Sequence, residues 1–319
     1  EQSQNHERLD AKMNDFLKRL MINLENDGKR LDNLMFLIAK KTPKSLIYKL
    51  IRKGRIKVDG KKSNPSTKLK AGNTIDFPSY LASEPNKTSP PKGLVKLIND
   101  SVLYENDEVL LINKPCGLGS HSGTGLKFGL IELARHARKG IPKLDLVHRL
   151  DRDTSGCLLL SKDLITLRVL HEIWSTKKVE KIYIALFKGR IREDLKEIEV
   201  NLEIARGALG EKRAFAVGQK KALTSILEKK YIKDNTLATL RLDTGRMHQI
   251  RAHARYIGHP LAGDDKYGDR DFNKELKKEG LSRLFLHASR IKIDSEKLKI
   301  NVKAPLPIEL SRVLSNFGQ

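Results

Sequence analysis

A short charged stretch, His148-Arg149-Leu150-Asp151-Arg152-Asp153-Thr154-Ser155-Gly156, is set between the apolar runs Leu146-Val147 and Leu158-Leu159-Leu160. Two carboxylates and two guanidiniums stand where the flanking residues call for a core. Unpaired buried ions are strongly unfavourable, so a fold that draws such groups inward must pair them or use them in chemistry. Asp151 and Asp153 share a parity and are expected to point the same way from an extended segment, with Gly156 letting the backbone turn before the next strand. The stretch is a candidate active site.

Around it, apolar strand-like segments recur at Val109-Leu110-Leu111-Ile112, Leu158-Leu159-Leu160, Ile182 to Phe187, Leu237 to Leu242 and Leu284-Phe285-Leu286. Their spacing is too irregular for a repeat protein or a doubly wound series. The expected fold class is α+β, a mixed, mostly antiparallel sheet with helices packed on it, over residues 100–319.

A smaller basic unit is expected at 28–80, after a polar leader at 1–27. Leu31, Leu34, Leu37 and Ile38 have helical spacing, and Thr42-Pro43 reads as an N-cap with proline at the first helical position. Leu46, Ile47, Leu50 and Ile51 then form a stripe, with Lys44, Lys49, Arg52 and Lys53 outside it and Gly54 ending the helix. Arg55 to Asp59 alternates as a strand, Gly60 turns the chain, and Leu69 to Phe77 is strand-like with a Gly72-Asn73 turn. Residues 81–99, with Pro85, Pro90 and Pro91, read as a linker.

Sixty-two Lys and Arg against 39 Asp and Glu leave a formal charge of +23, a field that gathers polyanions and makes nucleic acid the leading partner. No apolar run is long enough to span a bilayer, so no membrane partner is expected. Cys116 and Cys157 form no CxxC pair, and the expected setting is the reducing cytoplasm. The chain is expected to act as a monomer.

A second polar constellation, Thr244 to His253, follows the strand ending near Leu242 and is read as a helix start. Met247, Ile250, Ala254 and Ile257 give it an apolar face, and His248, Arg251 and Arg255 a polar one. His248 and His253 are five residues apart, roughly 140° around a helix, and no Cys or Glu completes a ligand set, so no metal is expected. Gly54 and Gly60 with Lys61-Lys62 fail the phosphate-loop pattern, and Gly117-Leu118-Gly119 has its third glycine, Gly123, one place late for a dinucleotide fold. No cofactor is implied. Ser155, His148 and an aspartate could form a hydrolase triad, but no GxSxG elbow is present, and Cys157 reads as a buried small hydrophobe.

Taken together these residues resemble known families. Arg30-Leu31-Asp32, Ser45, Ile51 to Val58 and Leu69-Lys70-Ala71-Gly72 resemble the S-four RNA-binding domain over about residues 28 to 78. That resemblance implies phosphate contacts from Arg30, Lys44, Arg52 and Lys53. The larger half resembles the RluA family of pseudouridine synthases. Leu146 to Gly156, Lys181-Ile182-Tyr183, Thr244 to Arg251, Gly258 to Gly268 and Leu286-His287-Ala288 carry the likeness, with Met247 where the family commonly has Thr or Ser. Asn113-Lys114-Pro115 through Gly129 and the Asp269 to Leu281 insertion are most like the C-type branch, which modifies large-subunit ribosomal RNA.

The resemblance implies isomerisation of specific uridines, in that RNA or an assembly intermediate of it, with no cofactor. It gives Asp151 the essential carboxylate, Arg251 the cation that favours its ionised form, and Tyr183 and Ile250 the walls around a flipped-out uracil. Arg149 would fill the vacated stack, and Asp153 would be structural, pairing with Arg152 or capping a turn. The alternatives are a catalytically inactive RNA-binding ribosome-assembly factor and a carboxylate-dependent hydrolase.

Overall fold

The computed structural model describes residues 17–39, 42–82, 89–122, 127–174, 176–206 and 212–318. The leader through residue 16, Pro85 of the linker and Gly123 lie outside them. The chain divides into two compact units, Glu1–Ser89 and Pro90–Gln319.

In the first unit, strands β1 (Leu17–Met21), β2 (Lys57–Val58), β3 (Lys61–Lys62) and β4 (Thr74–Pro78) form a sheet in the order β1-β4-β2-β3. Helices α1 (Leu31–Ile38) and α2 (Lys44–Arg52) pack with it through Leu31, Leu34, Met35, Ile47, Leu50 and Ile51. Two residues expected on the apolar stripes are exposed, Leu37 and Leu46. The buried set in α1 is Leu31, Leu34 and Met35, at i, i+3 and i+4; Leu37 sits about 240° round from Leu31, and Leu46 about 100° off Ile47. Pro43 stands at the cap of α2, so that helix begins one residue later than expected. Gly54 closes it at φ +67, a conformation suited to glycine.

The second unit is built on a ten-stranded sheet. Its strands are β5 (Val102–Glu105), β6 (Val109–Lys114), β7 (Asp145–Leu146), β8 (Ser155–Ser161), β9 (Val179–Phe187), β10 (Glu197–Arg206), β11 (Lys212–Ile232), β12 (Asn235–Leu242), β13 (Leu286–Asp294) and β14 (Lys299–Lys303). The order is β10-β11-β12-β9-β13-β8-β6-β5, with β14 beside β13 and β7 beside β8. Among the described pairings of this sheet, β8 with β13 is the parallel one and the others are antiparallel. The helices are α3 (Lys92–Asp100), α4 (Leu130–Ala137), α5 (Leu164–Ile173), α6 (Gln249–Tyr256), α7 (Arg270–Lys278) and α8 (Ile308–Gly318). No described helix is long and apolar enough to cross a membrane.

Both faces of the central strands are covered, which explains their unbroken apolar runs. Leu110, Leu158, Leu160, Tyr183, Ala185 and Leu240 pack on one side with Leu130 and Ala134 of α4. Leu111, Cys157, Leu159 and Ile291 pack on the other with Leu170 of α5. Burial pushes the Cys157 thiol up to about 11. Gly156 does not turn the chain ahead of a strand. It lies inside β8 at φ +114, where a Cβ would come within 2.2 Å of the Ala288 carbonyl oxygen on the parallel neighbour. It is the close approach of β13 that demands glycine.

Candidate active site

The charged stretch is a loop at the entrance to β8, and its charges are less buried than the sequence suggested. Arg149 and Arg152 are exposed, Asp151 and Asp153 half-buried. The loop is not extended either: Thr154 N–H donates to the Asp151 carbonyl at 3.2 Å, a turn that breaks the expected parity of the two aspartates. Arg152 turns to Gly117, its Nε donating to that carbonyl at 3.1 Å, so the expected pairing of Arg152 with Asp153 is replaced by a contact with the neighbouring chain segment.

That segment pins the loop from below. Ser120 Oγ donates to the Leu150 carbonyl at 2.9 Å and accepts the Leu150 N–H at 3.1 Å. Lys114 is fully buried, and its Nζ donates to the carbonyls of Pro115, Leu118 and Arg152 at 2.9, 2.8 and 3.1 Å. Desolvation lowers this ammonium to about 7, so three carbonyl acceptors stand in for a counter-ion.

The opposite wall comes from the segment after β12. α6 begins at Gln249, not at Thr244, because Gln249 is a clip for the preceding turn. Its Oε1 accepts from Thr244 Oγ1 at 2.7 Å and Arg246 N–H at 3.1 Å, while its Nε2 donates to the Leu223 carbonyl and Thr224 Oγ1 on β11. Met247 and His248 therefore precede the helix, and His248 takes a left-handed conformation, φ +52 and ψ +25.

Arg251 is 3% exposed, and its strongest partner is Asp264, to which no motif in the sequence assigns a role. Nε and Nη2 donate to the two oxygens of Asp264 at 2.7 Å each, a bidentate pair. Asp151 is the second partner, Nη1 lying 3.7 Å from its Oδ2. His248 Nε2 stands 3.7 Å from the same oxygen. Burial alone would raise the Asp264 carboxyl, but Arg251 and the N–H groups of Tyr267 and Lys266 hold it below the usual range.

Asp151, Tyr183, Ile250, Arg251, Arg149 and His248 all line one cleft of about 100 Å³, which also takes in Leu242 and Leu286. Tyr183 reaches it because it shares a face of β9 with Ala185 and Phe187, at the cleft end of that core row. Burial first, and then the Asp151 charge, push its hydroxyl well above the ordinary tyrosine value, so it stays protonated through neutral pH.

The triad alternative is not assembled. Ser155 is buried, with Oγ bonded to His287 Nδ1 at 2.9 Å and accepting from Arg283 at 2.7 Å. His148 stacks on Trp174 at 4.6 Å, its Nε2 accepts the Leu159 N–H, and burial lowers it to about 3.

A family model described as RNA pseudouridylate synthase matches residues 108–256, and one described as S4 domain matches residues 29–75. The chain is similar to the ribosomal large subunit pseudouridine synthase C of Haemophilus influenzae, 40% identical over 289 residues and 89% of each chain. It is likewise similar to the protein of that name from Escherichia coli K12, 39% identical over 309 residues, 94% of this chain and 97% of that one. The chain belongs to the RNA pseudouridylate synthase family. The chain also shares the fold of human RNA pseudouridylate synthase domain containing 4, with a TM-score of 0.58 and 22% identity over 70% of this chain and 95% of that one. The synthase is an RNA pseudouridine synthase with an N-terminal S4 domain.

In the S4 domain, Arg30, Lys44, Arg52 and Lys53 are all exposed, but they are not equivalent. Arg30 is paired with the buried Asp32, its Nη2 2.6 Å from Oδ2, and that hydrogen bond holds the Asp32 carboxyl low. Lys44 sits over the Phe36 ring, 4.8 Å from its centroid. Arg52 lines an open cleft of about 480 Å³ with Lys62, Ser63 and Asn64, so Lys62 on β3 joins the candidates.

Proposed function

We propose that the synthase isomerises specific uridines of large-subunit ribosomal RNA, free or in an assembly intermediate, with Asp151 as the carboxylate that acts on a flipped-out nucleotide. The supporting observation is the convergence of Asp151, Tyr183, Ile250 and Arg251, from three separate parts of the chain, on one cleft. The substrate class rests on the names of the Haemophilus influenzae and Escherichia coli relatives.

In the reaction the bond from ribose C1′ to uracil N1 breaks, a bond from C1′ to C5 forms, and a proton leaves C5 while N1 regains one. Composition is unchanged. Leaving the stack costs the RNA a few kcal/mol, which the cleft must return. In this reading Arg149, exposed at the rim, fills the gap in the stack, the Tyr183 ring and Ile250 sandwich the uracil, and Arg251 keeps a positive charge beside Asp151. An inactive RNA-binding protein would have no use for this convergence.

The deciding measurement is a pseudouridine map of ribosomal RNA from cells lacking the protein. Discrete sites in the large-subunit RNA should revert to uridine and be restored by the wild-type gene; an unchanged map would refute the substrate. For the wall residue, Tyr183→Phe should keep the stacking surface and much of the substrate affinity, whereas Tyr183→Ala should lose about 1–3 kcal/mol of it. Equal, undiminished rates would return Tyr183 to core packing. For the S4 domain, Arg52→Ala with Lys62→Ala should flatten the dependence of log affinity on log salt by about 0.7–0.9 for each phosphate contact removed. Identical salt titrations would mean that their cleft does not hold phosphates.

A further inference from the structure

His248 is joined to more than Asp151. Its Nδ1 lies 2.8 Å from Tyr267 Oη, and Tyr267 Oη accepts the backbone N–H of Ala214, on β11, at 2.7 Å. The phenol has one proton to give. With an N–H already pointing at its oxygen, the arrangement that satisfies every group has the phenol donating to Nδ1, which must then be the unprotonated ring nitrogen. The proton of the neutral imidazole is left on Nε2, the atom that faces Asp151 Oδ2 at 3.7 Å. Both side chains are well shielded, Tyr267 at 7% exposure, and the two rings meet edge to face at 5.5 Å. The left-handed backbone of His248, unusual for a residue with a side chain, presents the ring to both partners at once.

We propose that His248 is a positioning residue for Asp151, locked by Tyr267 in the Nε2–H tautomer so that a neutral donor meets the carboxylate oxygen that Arg251 also approaches. The proposal rests on the reading of Asp151 as the reacting carboxylate. Burial lowers the basicity of the imidazole, in keeping with a neutral donor rather than a second cation. A donor at 3.7 Å is too far for a hydrogen bond in the resting site; contacts of this kind tighten when substrate is seated. Two donors converging on Oδ2, from Arg251 and His248, would fix the carboxylate plane and present Oδ1 to the nucleotide. The chain Ala214 N–H, Tyr267 O–H, His248 Nε2–H and Asp151 thus ties the carboxylate to the long strand β11.

Histidine-selective nitrogen-15 spectra test the tautomer directly, with the signal of His248 among nine histidines identified by its loss in His248→Asn. Asparagine tolerates the left-handed backbone but is too short to reach Asp151. Wild-type His248 should show a protonated Nε2 and a bare Nδ1, and Tyr267→Phe should shift it toward the other tautomer. In single turnover at saturating RNA, His248→Asn and Tyr267→Phe should each slow isomerisation about ten- to a hundredfold, with RNA affinity changed by less than about twofold. The double variant should be no slower than His248→Asn, because Tyr267 acts through His248. A protonated Nδ1 in the wild type, multiplying losses in the double variant, or wild-type rates in His248→Asn would each overturn the proposal. If Tyr267→Phe does not fold, the wild-type tautomer and His248→Asn decide it. Asp151→Asn, run alongside, separates the two levels: turnover there would overturn the underlying reading, whereas an inert Asp151→Asn beside a fully active His248→Asn would overturn this proposal alone.

Discussion

Asp151→Asn should abolish pseudouridine formation and leave the protein otherwise intact. The substitution keeps the side chain's size and one acceptor oxygen but removes the charge. A carboxylate that bonds to or deprotonates the nucleotide has no substitute in an amide, so a loss of more than about a thousandfold, ~4 kcal/mol of transition-state stabilisation, is expected in single turnover. Stability should change little. Asp151 is 27% exposed and its two nearest polar neighbours, Arg251 and His248, are 3.7 Å away, while Arg251 keeps its bidentate pair with Asp264. The difference in unfolding free energy should stay within about 1 kcal/mol. Equal RNA affinity with no product would confirm the role; product above background from a folded variant would remove it.

What the sequence made legible was whatever depends on short-range pattern. The strands at Val109, Leu158, Ile182 and Leu237 announce themselves as apolar runs, and all lie in the sheet. β10 and β11 do not, although together they form the largest hairpin of the fold. In Glu197 to Arg206 charged residues alternate with apolar ones, and Lys212 to Ile232 is interrupted by lysines because much of the hairpin faces water. The site divides in the same way. The residue types of Asp151, Tyr183 and Arg251 stood out within motifs, but the bidentate partner of Arg251 is thirteen residues away, past the end of α6, and only the fold brings it round. The sequence offered one signal for it: Asp264 lies within the Gly258 to Gly268 stretch that carries part of the family likeness. Lys114 gave no signal of burial, because its three carbonyl acceptors are backbone atoms that no residue pattern encodes.

The Arg251–Asp264 pair makes stability and activity separable. Arg251→Met should lower the unfolding free energy of the catalytic unit by about 3–5 kcal/mol, since it strands the Asp264 carboxylate, 1% exposed, without a counter-charge. At about 2–4 °C per kcal/mol the fall in Tm is easily measured. Adding Asp264→Asn should recover most of that loss, because the amide oxygen can still accept the N–H groups of Lys266 and Tyr267 while the buried charge is gone. A double variant as unstable as Arg251→Met would show that packing of the guanidinium stem, not charge, carries the effect. The pH dependence has a definite sign. Asp264 is held below its ordinary 3.8, so the pair's contribution is fully present above about pH 4. It is lost as pH falls through the depressed folded value, where the carboxylate takes up a proton. Activity should not follow stability back: the double variant still lacks the cation 3.7 Å from Asp151 and should remain slow. Recovery of both together would confine Arg251 to holding the fold, whereas recovery of stability alone would show that its third nitrogen serves Asp151 while the other two hold Asp264.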